Sequence, residues 1–270
     1  MNKPIIGICG HAGSGKDTAA DFLVEHHGFV KLALADEMKR FCRKVFGFSL
    51  QQLWGASELR NIPDERFRTS AAWDEAFEAV GFIGPEWSKR LVPNRRGGVA
   101  LISLCKWVSD LRVKYGPSGE STNRAYFTFS PRIALQTLGT EWGRGVDQDM
   151  WIRKAMLDAQ RLLDKRQPNH YSQRSGIIED ALSHWKHYSG VVISDVRFIN
   201  EVMAITEHGG QAWRLRRDGT APTGIPGHAS ESEQDRLNDS EFTHVIDVAT
   251  GVPAFQQQLD ALMKRTQESK

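Results

Sequence analysis

The sequence has few cysteines and lacks any long hydrophobic run. Its 270 residues contain three cysteines, Cys9, Cys42 and Cys105, which lie far apart without C-x-x-C spacing. That distribution argues against a zinc site or a disulfide framework and fits reduced thiols in a cytoplasmic protein. The chain does not start with a basic segment followed by an apolar run, and no stretch is long enough to cross a bilayer. We therefore expect neither a signal peptide nor a membrane partner.

An excess of charge of one sign is also absent. The 35 Lys and Arg residues nearly balance the 33 Asp and Glu residues, and the net charge of +2 gives no indication of a nucleic-acid partner. Basic side chains gather locally at Arg214, Arg216 and Arg217, where a solvated face is the expected meaning. Hydrophobic residues make up 40% of the chain, as in ordinary globular proteins. The length fits one α/β domain with insertions or two small domains.

A glycine-rich stretch near the start carries the strongest motif. It reads GHAGSGKDT, so Gly10, Gly15 and Lys16 satisfy the pattern G-x-x-x-x-G-K. The apolar run Pro4–Cys9 before it predicts a buried strand, and the spacing after it predicts a helix. Such a loop presents backbone N–H groups and a helix N-terminus to a phosphate, while the lysine reaches the outer phosphates. The motif predicts a nucleoside triphosphate site, the alternative being a glycine turn beside an exposed lysine.

Asp17 stands where this motif usually has Ser or Thr, and Thr18 follows it. A carboxylate in the first turn of a helix is stabilised by the helix dipole, so one interpretation is purely structural. In the other, Asp17 binds magnesium, directly or through water, or approaches the acceptor group, and Thr18 supplies the hydroxyl. Magnesium takes one or two carboxylates together with phosphates and water, so this chemistry is equally sensible.

The order of elements predicts an α/β fold. A strand at Phe29–Leu34 and a helix at Ala35–Phe46 follow the loop and its helix, which indicates a βαβ unit with a right-handed crossover. Further strands are expected at Val191–Phe198, Gln211–Leu215 and Thr243–Val248, and further helices at Met150–Arg166, Asn200–His208 and Pro253–Gln267. We predict a single domain over residues 1–270, with a central parallel sheet flanked by helices.

Two regions break this pattern. Residues 51–125 are loosely patterned and contain several Trp, Pro and Gly, which predicts an inserted, mainly helical segment with helices at Ala71–Val80 and Leu101–Tyr115. Residues 167–188 are polar and predict a lid or mobile loop. The sequence leaves open which region would close over a site.

The stretch SPRIALQTLGTEWGR predicts a helix with polar residues on one side. Ser130 can cap it, Pro131 fits its first position, and Gly139 can end it. Arg132 and Gln136 are four residues apart and share a face. Arginine offers a fork to phosphate, and glutamine offers the paired donor and acceptor that a nucleobase edge requires. The cluster is extended by Gly139, Thr140 and Arg144.

A strand end, SDVRF, adds Asp195 and Arg197, which face the same side because they are two residues apart. Ligands bind at the carboxyl edge of parallel sheets, where Asp195 would suit a magnesium shell and Arg197 a phosphate. A structural Asp–Arg pair is the alternative. Trp151 could stack on a base or lie in the core. The segment His228–Glu231 (HASE) lacks further ligands at metal spacing, so no zinc site is predicted there.

Taken in order, these segments resemble the phage-type deoxynucleoside monophosphate kinases, whose phosphate loop also reads G-K-D-T. The matching pieces are Gly10–Thr18, Arg132–Arg144, Asp147–Trp151, Ser194–Glu201, His228–Glu231 and Phe242–Gly251. The resemblance covers residues 1–50 and 130–270. It implies a P-loop kinase fold that transfers the γ-phosphate of ATP to a deoxynucleoside monophosphate, with ATP and Mg²⁺ as cofactors.

The resemblance also implies roles for individual residues. ATP and magnesium would be bound by Gly13, Ser14, Gly15, Lys16, Asp17 and Thr18, with Asp195 as a further metal ligand. The acceptor side would comprise Lys39, Arg132, Gln136, Gly139, Thr140, Trp151, Asp195, Arg197 and Glu201. Arg144 is unsettled between the acceptor and donor sides. The residues expected to act in catalysis are Lys16, Asp17, Arg132 and Arg197.

Two other functions stay open at this point. A kinase of the same architecture could act on another phosphorylated acceptor, because animal phosphomevalonate kinases share a similar G-K-D loop. A non-catalytic module could bind nucleotide without any acceptor site. The expected partner is a small-molecule substrate, a deoxynucleoside monophosphate, in the cytoplasm, or in the host cytoplasm if a phage encodes the protein. The accepted bases and the choice between a monomer and a homodimer stay open.

Overall fold

The computed structural model describes residues 4–11, 13–92, 97–117, 128–164, 170–171, 178–179, 188–217 and 229–268. The chain divides into two compact units. The first comprises Met1–Leu34, Ala155–His170 and Asp180–Lys270, and the second comprises Ala35–Lys154 and Tyr171–Glu179. The predicted insertion, residues 51–125, belongs to the second unit, whereas the predicted lid, residues 167–188, lies almost entirely outside the described residues.

Strands and helices alternate in the first unit, whereas the second unit is mainly helical. The strands are β1 (Ile5–Cys9), β2 (Phe29–Leu32), β3 (His170–Tyr171), β4 (Ile178–Glu179), β5 (Gly190–Val196), β6 (Gln211–Arg216) and β7 (His244–Asp247). The helices are α1 (Lys16–His27), α2 (Ala35–Phe46), α3 (Leu50–Trp54), α4 (Ser70–Leu91), α5 (Gly97–Tyr115), α6 (Pro131–Gln136), α7 (Met150–Leu163), α8 (Ile199–Glu207), α9 (Ala229–Arg236) and α10 (Val252–Glu268). A π-helix occupies Thr137–Arg144, and 3₁₀-helices occupy Ser57–Asn61, Glu65–Arg68 and Asp239–Glu241.

The first unit is built on a five-stranded parallel sheet with the order β2-β5-β1-β6-β7. This confirms the predicted α/β class and central parallel sheet. β1 takes the middle position because its nearly continuous apolar run can be buried on both faces of the sheet. The loop after β1 therefore leaves the sheet between the ends of β5 and β6.

Helices cover both faces of this sheet. On one face, Ile8 and Trp213 pack in a buried cluster with Leu23 of α1 and residues of α10. On the other face, α8 comes so close to β1 that a Cβ at Gly7 would lie 2.3 Å from Cδ1 of Ile205. Helices thus pack against both faces of the sheet at β1, and the ends of the strands are the place to look for a ligand site.

The second unit has an aromatic core of its own. Trp73 is fully buried, and its indole N–H donates to the carbonyl oxygen of Phe67 at 2.9 Å. The ring of Phe129 lies 4.9 Å from the rings of both Trp73 and Phe67. Rings at these separations add stabilisation beyond the area that they bury. The loosely patterned region thus supplies much of a hydrophobic core.

Two helix boundaries in this unit differ from the prediction. The prediction that a helix ends at Val80 was wrong, because α4 continues past Gly84 and Pro85 to Leu91. Gly84 permits a close crossing with α5, where a Cβ would lie 2.9 Å from Cδ1 of Leu101. Farther along α4, the ring of Trp87 stacks on Phe41 at 3.9 Å. Tertiary packing here overrides the weak helix propensity of glycine and proline.

The helix that begins at Ser130 also runs farther than predicted. Ser130 caps it by accepting a hydrogen bond from the backbone N–H of Ile133 at 3.4 Å, and Pro131 takes the first turn, as predicted. The prediction that Gly139 ends the helix was wrong, because the chain continues into the π-helix. Gly139 instead permits close packing, since a Cβ there would lie 2.9 Å from Sδ of Met38.

Two sequence predictions, the lack of disulfides and the lack of a membrane-spanning segment, can be compared with the described residues. Cys9, Cys42 and Cys105 are free thiols, and burial raises the pKa of Cys9 to about 11. None of the described helices combines the length and the apolar composition that a bilayer crossing needs.

Core packing in α1 gives a first testable prediction. Leu23 is fully buried, whereas its neighbour Val24 is 37% exposed. We expect Leu23→Ala to lower the free energy of unfolding by about 2–5 kcal/mol, because it leaves a cavity between α1 and the sheet. Val24→Ala, the matched control, should change it by less than about 0.5 kcal/mol. Equal losses in urea denaturation would contradict this packing.

A second prediction concerns acid sensitivity. Burial lowers the pKa of His244, whose ring lies 6.2 Å from that of Trp213. Below a pH of about 6.5 the unfolded chain binds this proton more readily than the folded chain, so stability should fall as the pH drops. His244→Gln should flatten that fall between pH 7.5 and pH 5.5. Urea midpoints that decline equally in both proteins would show that His244 does not contribute.

Candidate functional site

The glycine-rich loop joins β1 to α1 in a conformation that depends on glycine. Gly10, Gly13 and Gly15 have φ angles of 151°, 81° and 97°, in the region that residues with a side chain rarely adopt. At Gly10 a Cβ would also lie 2.6 Å from the carbonyl oxygen of Leu215 in β6. The glycines of the motif therefore hold a tight turn at the edge of the sheet, directly before the N-terminus of α1.

Lys16 crosses this loop. Its Nζ donates to the carbonyl oxygens of Gly10 at 2.5 Å and His11 at 2.6 Å. The ammonium group is therefore held at the mouth of the turn, where a phosphate bound by the loop would meet it. His11 is tied down by a second contact, since its Nε2 lies 3.0 Å from a carboxylate oxygen of Asp235 in α9.

Asp17 occupies the first turn of α1 and contacts Lys31 of β2. The Lys31 Nζ lies 2.8 Å from Oδ1 of Asp17 and 3.1 Å from Oδ1 of Asp21, one turn farther along α1. Burial lowers the pKa of Lys31, but the two carboxylates outweigh burial and raise it above its ordinary value. The side chain of Asp17 is 80% exposed. These contacts suit helix stabilisation and leave the carboxylate accessible.

Two hydroxyl groups belong to the loop and the first turn. Ser14 is 1% exposed, and its Oγ has no hydrogen-bond partner among the residues that the structure describes. Thr18 is half-buried. An isolated buried hydroxyl costs free energy, so the loop offers a polar group that a ligand or water could satisfy.

Asp195 lies near the carboxyl end of β5 and Glu201 in the first turn of α8, and both accept hydrogen bonds from the backbone. Oδ1 of Asp195 accepts a hydrogen bond from the N–H of Leu34 at 2.7 Å and thereby fixes the chain after β2. Oε2 of Glu201, which is 4% exposed, accepts from the N–H groups of Arg197 at 2.7 Å and Phe198 at 3.1 Å. Glu201 thus caps α8 and shapes the backbone that carries Arg197.

The expected magnesium ligands are Asp17, Thr18 and Asp195. Among the described residues there is no cluster of three or more His, Cys, Asp or Glu side chains that could hold a metal ion. The donor set still fits magnesium, because this ion takes one or two carboxylates and completes its shell with phosphate oxygens and water. Asp195 is near the loop in the sheet, since its neighbour Val196 pairs with Cys9. The magnesium site stays a prediction.

The expected acceptor residues other than Asp195, Arg197 and Glu201 belong to the second unit. Arg132 donates to Oδ1 of Asn61 and, at 3.1 Å, to Oγ of Ser57. Gln136 has a buried Oε1 without a hydrogen-bond partner among the described residues. An unpaired buried acceptor is costly, so this oxygen is a candidate contact for an N–H group of a ligand.

The π-helix places its glycines around Trp151. The indole N–H of Trp151 donates to the carbonyl oxygen of Gly139 at 2.9 Å, and a Cβ at Gly143 would lie 2.4 Å from its ring. The ring is 4% exposed and lies 6.2 Å from that of Trp142. These are the contacts of a core tryptophan, and base stacking stays a prediction. A π-helical turn often marks a functional site.

Thr140 and Arg144 lie in the same π-helix. Thr140 is half-buried, and the guanidinium group of Arg144 donates to the carbonyl oxygen of Gln148 at 3.2 Å. Lys39 of α2 lies 3.7 Å from a carboxylate oxygen of Asp36 and 5.5 Å from the ring centroid of Trp54. Arg144 and Lys39 therefore contact neighbours of their own unit.

Sequence analysis did not single out Glu37, a buried glutamate that gathers cations in the second unit. It is 7% exposed, and Oε1 accepts from the Trp87 indole N–H at 2.7 Å and from Arg90. Oε2 lies 3.6 Å from Arg40 and 4.0 Å from Lys154. The sequence signal for Glu37 is its position on the apolar face of α2, four residues before Phe41, where a charged residue is unusual. One carboxylate therefore orients several cationic side chains.

The HASE segment lies at the limit of the described residues. His228 is outside them, and of Ser230 and Glu231 only the backbone, in α9, is described. Both residues are helical, and the alternative in which Ser230 caps a turn stays a prediction.

Comparison with known proteins finds one kinase-like relative. A protein of Acanthamoeba polyphaga mimivirus named "Putative deoxynucleotide monophosphate kinase" is 40% identical over 63 residues. The match spans 23% of this chain and 33% of that protein, so the chain matches about a third of the length of this relative. No protein-family model matches the chain. These findings support a nucleotide kinase as a relative and do not identify the phage type.

The capping contacts of Glu201 give a third prediction. Glu201→Ala should lower the free energy of unfolding by about 1–2 kcal/mol, because two backbone N–H groups lose their acceptor. Glu201→Gln keeps an acceptor oxygen and should lose less than half as much. Thermal and urea denaturation of both variants would measure the difference. Equal losses would indicate that the negative charge matters and that capping does not.

Proposed function

We propose that the protein is an ATP-dependent kinase that transfers the γ-phosphate of ATP to a deoxynucleoside monophosphate and releases the diphosphate. The observation that carries the proposal is the glycine loop between β1 and α1, with Lys16 held across its mouth. This is the arrangement of strand, loop and helix in which G-x-x-x-x-G-K binds phosphate. The mimivirus relative supports the choice of a nucleotide kinase.

The donor side of the proposed reaction lies in the first unit. Backbone N–H groups of the residues from Gly13 to Thr18 would hold the ATP phosphates, aided by the positive end of α1. Lys16 would exchange its carbonyl contacts for the outer phosphates. Magnesium, held by Asp17, Thr18 and Asp195 with phosphate oxygens and water, would neutralise charge on the transferring group.

Several polar and charged side chains are proposed to serve the acceptor. Gln136 brings a buried oxygen that lacks a partner among the described residues, which suits an N–H group on a nucleobase edge. Arg132 and Arg197 would bind the acceptor phosphate, because a guanidinium fork matches phosphate geometry. The other acceptor residues, Lys39, Gly139, Thr140, Trp151, Asp195 and Glu201, are proposed to shape or support this side, and Arg144 to serve either nucleotide.

The proposed mechanism requires little covalent chemistry of the protein. It requires that two phosphates be aligned in line and that negative charge on the transferred group be balanced. Lys16 would supply charge on the donor side, and the arginines on the acceptor side. Asp17 would keep its contact with Lys31 or exchange it for a place in the metal shell. The contact with Lys31 would then contribute to the free energy needed to move that carboxylate.

A panel of acceptors tests the proposed function. The protein is incubated with ATP and Mg²⁺ and with dAMP, dGMP, dCMP, dTMP or phosphomevalonate, and ADP release is followed in a coupled assay. Turnover that requires a deoxynucleoside monophosphate supports the proposal. Turnover with phosphomevalonate alone would move the protein to the other kinase class. ATP binding without turnover on any acceptor would indicate a non-catalytic module.

Removal of the loop lysine gives a fourth prediction. Lys16→Ala should lower kcat at least about a hundredfold, because the transferring phosphate loses a preorganised cation. Circular dichroism should show an intact fold. Lys106→Ala is the matched control, because Lys106 is 71% exposed and pairs with Asp110 on the surface of α5. Near-normal turnover of Lys16→Ala would refute the assignment of the loop.

A further inference from the structure

The arginines at the end of β6 do not form one solvated face. Arg216 is fixed by Asp247 through hydrogen bonds of 2.8 and 2.9 Å. Arg217, the next residue, points elsewhere, and its Nη1 donates to the carbonyl oxygen of Gly13 at 3.2 Å. The sequence interpretation of this run as a solvated face is wrong for Arg214, whose side chain is 17% exposed, and Arg217 contacts the glycine loop.

The sheet explains why these neighbours differ. Arg214 and Arg216 are two residues apart on β6, and both bind Asp239, at 3.0 and 2.7 Å. Arg217 is the first residue after the strand. β6 runs parallel to β1 with Arg214 opposite Cys9, so the chain at Arg217 and the loop at Gly10 leave the sheet at the same edge. A long side chain can then extend from residue 217 to the rim of the loop.

We propose that Arg217 binds the phosphate chain of the donor nucleotide and acts as a second cation beside Lys16. The proposal rests on the proposed function only in taking the loop as a triphosphate site. A guanidinium group has five N–H donors in a planar fork that matches phosphate oxygens, and the bond to Gly13 orients this fork over the loop. Arg217 follows β6, whereas Arg197, which we propose for the acceptor phosphate, follows β5 on the other side of β1. Substitution of Arg217 should therefore weaken the binding of ATP and leave the binding of the acceptor unchanged.

Four variants separate phosphate binding from support of the loop. Arg217→Ala removes both the charge and the donor, whereas Arg217→Gln removes the charge and keeps a side-chain N–H donor. Arg217→Lys keeps the charge without the fork. Arg216→Ala is the matched control, because its guanidinium group is bound to Asp239 and Asp247.

Calorimetric titration with ATP and Mg²⁺, in the absence of any acceptor, gives the readout. We expect Arg217→Ala and Arg217→Gln to raise the Kd for ATP about tenfold or more, Arg217→Lys to raise it less, and Arg216→Ala to leave it unchanged. Thermal midpoints would verify that the variants are folded. If the protein has kinase activity, the KM for the deoxynucleoside monophosphate should be unchanged in the Arg217 variants.

The outcomes distinguish this inference from the proposed function. ATP affinity that is retained in Arg217→Gln would reduce Arg217 to a support for Gly13 and overturn the inference. If the unchanged protein does not bind ATP, both the inference and the proposed function are wrong. If ATP binding depends on the charge of Arg217 and no acceptor is turned over, the inference stands and the kinase assignment fails.

Discussion

The first unit depends on a close approach between the end of β1 and β6. At Gly10 the chain turns out of the sheet so near to Leu215 that any side chain would collide with its carbonyl oxygen. Glycine at this position lets β1 stay paired with β6 while the backbone turns directly into α1. The turn places the positive end of a helix and the ammonium group of Lys16 at one edge of the sheet. The phosphate site that we propose follows from this steric constraint.

The second unit depends on a different close approach. Gly143 leaves room for the Trp151 ring, and the carbonyl oxygen of Gly139 accepts its N–H, so the π-helix is held in an uncommon conformation by a buried tryptophan. Gln136 immediately precedes this π-helix. Strained or irregular helical turns persist where the surrounding packing determines them, and they cluster at functional sites. Packing and proposed substrate binding are thus combined in one segment.

The sequence predicts the sheet well because burial on both faces leaves a clear mark on each strand. Pro4–Cys9 reads as an almost continuous apolar run, and Val191–Phe198 reads as a buried strand with Asp195 and Arg197 at its carboxyl end. Both regions form strands of the parallel sheet. Boundaries in the second unit are harder, since glycines such as Gly84 and Gly139 serve helix crossings and not helix ends. The glycine loop could be found in the sequence because its glycines have fixed spacing. The contacts of Arg217 with Gly13 and of Asp17 with Lys31 join distant positions that no local pattern connects.

The central claim is that the chain moves a phosphoryl group between nucleotides. The most direct measurement is the fate of the label when the protein is given [γ-³²P]ATP, Mg²⁺ and each deoxynucleoside monophosphate in turn. The account predicts that the label appears in a deoxynucleoside diphosphate and that its formation requires Lys16. Label that appears only as inorganic phosphate, at a rate independent of the monophosphate, would contradict it.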